Sequence, residues 1–246
     1  MTAAADRAGG SAADSLAVWR RVRREVDWQR APTLDRGLPG RDGFRAWCAG
    51  PVRRRDPVRA ERLLRAHALT LADAACRAPL DFALLTGWQG EVLGEARPVF
   101  RTGDAYAKAG RERYGLTPHT RADFAACLRE ATDPSLPLAA RAARAYLDVA
   151  FFHPFEDGNA RAALLTLVHV LAREDVVLPE VGPLHITRYP DDPAGAADLA
   201  TLIDVLNRRR GSSSELEPDV FAASAGRIRG MRRPDAPVVR HRLDEE

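Results

Sequence analysis

Lysine is nearly missing from this chain of 246 residues. Of its 37 basic residues only Lys108 is a lysine, and alanine is abundant, so the arginine bias reads as compositional and a single arginine says little about function. Cysteine is scarce and odd in number: Cys48, Cys76 and Cys127 stand far apart, which excludes a disulfide framework or a paired zinc spacing and predicts reduced thiols, as in a cytoplasmic protein. No apolar run approaches the ~18 residues of a membrane span, so no membrane partner is expected. Residues 1–14 lack the apolar stretch of a secretory signal, and a cytoplasmic location is expected by default. Also missing are GxxxxGK[ST], a GxGxxG after a strand, and any internal repeat, so the common phosphate-loop and dinucleotide folds have no support.

With 46% hydrophobic and 29% charged residues, the chain is apolar enough for a core and too polar for a membrane protein. A net charge of +3 asks for no particular partner. The Ala/Gly/Ser-rich stretch 1–14 predicts disorder. A helix is expected from Asp14 or Ser15, with Leu16, Trp19, Val22 and Val26 on one face, and another from Pro57 to about residue 78. Six glycines between 87 and 115, with a Thr-Gly-Asp turn, predict a small hairpin or flap in place of a helix. Helices are then expected over 120–131, with Thr120 as a cap, over 137–151, after Arg161, over 195–209, and near 217–230 before a charged tail at 231–246. The division read from this is an N-terminal extension (1–55), a central domain (56–210) and a C-terminal helix with its tail (211–246). The fold class expected is all-α, a helical bundle with a small β-hairpin flap.

The stretch that carries chemistry is HPFEDGNAR, residues 153–161. Pro154 disfavours helix at His153, while Asp157, Gly158 and Asn159 are turn and cap residues before a strongly apolar run, giving helix, tight loop, helix start. Such a start offers free backbone N–H groups and the positive end of a helix dipole to an anion. Gly158 and Ala160 lack bulk, Arg161 adds a charged fork, Asp157 offers a hard oxygen for Mg²⁺, and His153 is the group able to act as a base near neutral pH.

These residues resemble the signature of the Fic/Doc family, His-x-Phe-x-(Asp/Glu)-Gly-Asn-Gly-Arg-x-x-Arg, at six of eight fixed positions, and the likeness extends over roughly residues 60–210. The resemblance implies a Fic fold and transfer of AMP, or another nucleotide-derived group, from ATP or a related triphosphate to a Ser, Thr or Tyr hydroxyl of a target protein. By the same resemblance His153 would take the hydroxyl proton and Asp157 would hold Mg²⁺. The Gly158 and Ala160 backbone with the Asn159 side chain would cradle the α-phosphate, Arg161 would meet the distal phosphates, and Phe155 would anchor the loop. A flap at Arg101, Thr102 and Gly103 would align the target by strand addition.

Two positions depart from the signature. Ala160 stands for its second glycine and Leu164 for its final arginine. Leucine there is shared with the Doc branch, so a Doc-like protein phosphotransferase is the alternative, followed by a degenerate domain that binds nucleotide or a partner without chemistry. Restoring Leu164→Arg is expected to tighten triphosphate binding if the distal phosphates lie there. The one Ser/Thr-x-x-x-Glu match, Ser213 to Glu217, is followed by Pro218, which leaves control to a separate antitoxin-like partner or to none. His67, His119, His169 and His185 show no metal spacing and read as structural or exposed. Trp19, Trp28, Trp47 and Trp88 read as core or partner contacts. The arginine clusters at 20–25 and 53–56 read as solvated helix faces, and nucleic acid is not an expected partner.

Overall fold

A computed structural model describes residues 13–36 and 41–209. The expectations for residues 1–12, the helix near 217–230, the tail 231–246 and the Ser213/Glu217 pair fall outside these residues. Within them the order is α1 (Ser15–Glu25), α2 (Gly43–Trp47), α3 (Pro57–Ala75), α4 (Phe82–Leu93), β1 (Ala105–Ala107), β2 (Glu112–Tyr114), α5 (Thr120–Glu130), α6 (Leu138–Phe152), α7 (Asn159–Ala172) and α8 (Pro193–Arg208). Aspartates start five of these helices: the side chains of Asp14, Asp42, Asp56, Asp81 and Asp192 accept from first-turn amides that have no intrahelical partner. Beyond α2 the chain widens into a π-turn over Cys48–Val52, where Pro51 has no N–H to donate, and runs through Arg53–Arg55 into α3.

α6 is the central rod. Thirteen of its fifteen residues are buried, including alanines at 139, 140, 142, 143 and 145, which let neighbours approach closely; a helix apolar all round belongs inside. α7 packs along it, α3 and α4 cover α7, and α1, α5 and α8 cover α6. The described part of the N-terminal extension shares this core through Leu16, Trp19, Val22, Trp28, Phe44, Cys48 and Val52. It is locked by a buried carboxylate: Asp148 of α6 accepts from Trp19 Nε1 at 3.0 Å and from Arg23 Nε at 2.8 Å. Cys48 and Cys127 are free and buried, and Cys76 is free and exposed. No described helix is long and apolar enough to cross a membrane.

Three expectations are corrected here. Gly87 and Gly90 lie inside α4, not in a hairpin. Asp81 caps that helix, Leu85, Trp88, Gln89 and Val92 form its buried stripe, and Gly94 ends it with a left-handed φ of 72°. The hairpin is shorter and later than the Thr-Gly-Asp turn suggested. Its strands pair Ala105 with Tyr114 and Ala107 with Glu112, and its turn runs through Lys108, Ala109 and Gly110, all at positive φ. Thr120, expected as a cap, is the first residue of α5, where its hydroxyl accepts from Thr117 N at 2.9 Å.

Candidate active site

The loop joining the two central helices is held in an unusual backbone. α6 must stop before Pro154, and His153 ends it with φ 46° and ψ 58°, a left-handed conformation that costs a non-glycine residue about 1–2 kcal/mol. Three contacts hold it there. His153 N donates to Val149 O at 3.2 Å, His153 O accepts from Arg101 Nε at 2.9 Å, and the imidazole stacks on the Tyr114 ring of β2 with centroids 4.4 Å apart. Backbone strain kept by several restraints is a feature of functional positions.

The other end of the loop is equally constrained. Asn159 opens α7, and its carboxamide is spent locally: Oδ1 accepts from Phe155 N at 3.0 Å and Nδ2 donates to Phe155 O at 2.8 Å. These two bonds shape the loop, and Asn159 also lines the groove beside it. Phe155 is 1% exposed and stacks on Phe82 of α4. Gly158 has φ 78°, and a Cβ on it would lie 2.4 Å from Gln89 Nε2, which donates to the Asp157 carbonyl at 2.6 Å. The left-handed φ favours glycine here, and a Cβ would also push the Gln89 carboxamide aside. The hydrogen-bond ladder of α7 begins with Arg161 N, which donates to Gly158 O at 3.0 Å, so the Asn159 and Ala160 amides precede it.

The charged groups sit at the same place. Asp157 is exposed and pairs with Arg161 at 2.9 Å, one helical turn on. The cation and the hard-oxygen donor expected to meet phosphate and metal are thus already adjacent. No cluster of three or more His, Cys, Asp or Glu able to hold a metal occurs among the described residues, so a divalent ion at Asp157 would need ligand or water oxygens as well. Among the described residues the four other histidines do not line the groove around His153: His67 lies against Asp42 and Phe44, His169 is buried beside Trp88, His185 stacks on Trp47, and His119 is exposed at the start of α5. Burial lowers the His153 pKa below its ordinary 6.5, and Arg101 adds to the effect, against the Ala150 carbonyl and Glu112, which favour the protonated ring. The ring is neutral at neutral pH. Its Nδ1 is buried without a hydrogen bond of normal geometry, which leaves Nε2 as the nitrogen open to the groove.

That groove has a volume of about 930 Å³. The loop from His153 to Arg161 forms one wall, β1 with Asp104 and Lys108 forms another, and Ile186, Thr187 and Arg188 close the far side. Lys108 latches the hairpin tip across it, donating to Arg188 O at 2.7 Å and lying 3.6 Å over the Tyr189 ring. β1 pairs with β2 alone, while β2 also bridges to Asp14, so the edge of β1 is open among the described residues.

The expected flap residues fall differently. Arg101 is 1% exposed and faces inward, donating to the carbonyls of His153, Phe152, Gly103 and Gly115. It is not available to a target. Thr102 and Gly103 are exposed in the bend before β1 but do not line the groove, a place taken by residues 104–108. Leu164 is 1% exposed inside the core and does not line the groove. Gln89 and Tyr114 were not found from sequence, Gln89 because its glycine-flanked segment did not read as helix. Tyr114 carried no motif at all.

The chain is thus a helical bundle whose central loop and edge hairpin share one polar groove. Residues 79–171 match the model of the Fic/DOC family, a span that runs from just before α4 through the hairpin to α7. Solved structures with similarity include a Fic-domain-containing signaling protein from Bacteroides thetaiotaomicron, at 16% identity and TM-score 0.42, covering 64% of this chain and 62% of that one. IbpAFic2 covalently tethered to Cdc42 is similar at 11% identity and TM-score 0.47, covering 78% and 70%. Fic-1 from C. elegans, residues 134–508, is similar at 16% identity and TM-score 0.40, covering 79% and 68%. The chain thus spans about three fifths of the Bacteroides protein. No curated protein sequence matches it.

Proposed function

We propose that the chain transfers AMP from a nucleoside triphosphate to a Ser, Thr or Tyr hydroxyl of a target protein. The observation that carries this reading is the opening of His153 and the unladdered Asn159 and Ala160 amides onto one groove, beneath an open strand edge. In the reaction the target hydroxyl gives its proton to His153 Nε2 as its oxygen bonds the α-phosphorus. The bond to the bridging oxygen breaks and pyrophosphate leaves with that electron pair. A neutral imidazole suits the task, and burial supplies one. The helix-start amides and Arg161 would stabilise charge building on the phosphate oxygens, an effect worth roughly 3–4 kcal/mol per well-placed donor.

Mg²⁺ fits one group here, the exposed Asp157 carboxylate, which would release Arg161 to phosphate as it took the ion. The ion would supply charge neutralisation on the triphosphate. The open edge of β1 suits sequence-tolerant pairing with a target segment, Tyr106 standing 63% exposed beside it. The domain present in complex with adenylylated Cdc42 is a distant similar structure, and it lends the idea of a protein target no more than context. Doc-like phosphoryl transfer is the second reading, suggested by the leucine, Leu164, that stands where the family signature has its final arginine. Incubation with α- and γ-labelled ATP separates them: the α label on protein, lost in His153→Ala, is expected. A γ label would instead establish the second reading, and neither label with any triphosphate would reject both.

A further inference from the structure

Beside the groove lies a second cavity of about 210 Å³. The two share Arg59, Ala160 and Arg161, so they are neighbouring compartments along the start of α7. Their chemistry differs. The groove mixes acids and bases around His153, whereas the smaller cavity is walled by Trp47, Pro51, Val52, Leu63 and His185, with three arginines, Arg55, Arg59 and Arg161, against one carboxylate, Asp56, which pairs with Arg59 at 3.4 Å. Trp47 is half-buried and already stacks on the exposed His185 ring, centroids 4.3 Å apart at 22°.

From this we infer that the Trp47–His185 cavity is the subsite for the nucleobase, which extends the ring stack while its phosphates run along the α7 start toward His153. The inference rests on the nucleotide reading above. A cavity with an aromatic stack and apolar wall, three arginines against one carboxylate, and lining residues at the α7 start matches a planar ring tethered to phosphates more closely than it matches a bare anion or an aliphatic chain. The π-turn is what shapes it. Pro51 and Gly50 widen the helix there, and the wide turn carries Val52 to the wall and brings Trp47 and Arg55 to the same rim. Segment 43–55 lies outside the family match, so the base would be read by a part of this chain that 79–171 does not contain. Trp47 then gains a role beyond core contact.

Calorimetric titration of the full chain with ATP and with inorganic tripolyphosphate, Mg²⁺ present, tests this. ATP is expected to bind at least tenfold tighter than tripolyphosphate. That advantage should fall to less than threefold in Trp47→Ala and shrink in His185→Ala, with the tripolyphosphate Kd unchanged in both. His185 is exposed, so its variant keeps the test valid if Trp47→Ala does not fold. An ATP advantage that survives in His185→Ala and in a folded Trp47→Ala overturns the subsite alone, as does tripolyphosphate binding with no ATP advantage in the wild type. Binding of neither ligand overturns the nucleotide reading and this inference with it.

Discussion

Arg101 Nε donates to the carbonyl of His153 at 2.9 Å, and the rest of the same guanidinium reaches the Phe152, Gly103 and Gly115 carbonyls. One buried cation therefore ties the strained end of α6 to both stems of the hairpin, and its own amide donates to Pro154 O at 2.9 Å.

Arg101→Met should leave these carbonyls unpaired in the interior, at about 1–3 kcal/mol for each that finds no other donor. A lowered melting temperature is expected, with hydrogen exchange rising first at residues 152–155 and 103–105. Protection unchanged in both segments would show that the guanidinium does not hold them together.

Gly158→Ala meets two obstacles, a left-handed φ and the Gln89 carboxamide 2.4 Å from the new Cβ. Backbone strain alone costs about 1–2 kcal/mol. The single variant should lose triphosphate affinity, and Gln89→Ala in the same chain should restore part of it by clearing the steric contact. Equal losses in the single and double variants would assign the whole effect to the backbone.

Leu164→Arg, which sequence reasoning would use to restore a phosphate contact, buries a guanidinium where Leu164 is 1% exposed. It is expected to lower stability by roughly 3 kcal/mol or more, as an unpaired buried charge does, without tightening ATP binding. A stable variant with a lower Kd would place this position at the phosphates after all.

His169 gives the clearest pH dependence. It is fully buried beside Trp88, and burial lowers its pKa from 6.5 to about 4. The unfolded chain binds a proton near pH 6.5 while the folded chain resists until about 4, so stability falls as pH drops through that window and is level above it. The contribution is about 3 kcal/mol at most. His153 and His67 are shifted in the same direction, so the comparison must be with His169→Leu, whose stability should decline less between pH 6.5 and 4. Parallel pH profiles for the two proteins would contradict the assignment.

The helices that bury a periodic apolar stripe behind an aspartate cap could be read from residue order, as α1 and α3 were. The loop from His153 to Arg161 was equally legible, because Pro154, Gly158 and the cap residues each constrain the backbone locally. What could not be read was tertiary. Glycine content hid α4, whose stripe at Leu85, Trp88, Gln89 and Val92 outweighs Gly87 and Gly90 once α7 covers it. The inward turn of Arg101, the use of Asn159 on Phe155 and the burial of Leu164 depend on partners far away in sequence or on the direction of one side chain. No spacing rule carries that information.

The central claim, that His153 serves a triphosphate held at the start of α7, is tested most directly by intact mass. The chain is incubated alone and with candidate hydroxyl-bearing protein targets in each nucleoside triphosphate with Mg²⁺. A covalent gain equal to a nucleoside monophosphate, absent in a folded His153→Ala chain, is the result predicted. The same gain in His153→Ala, or no gain with any triphosphate, would contradict it.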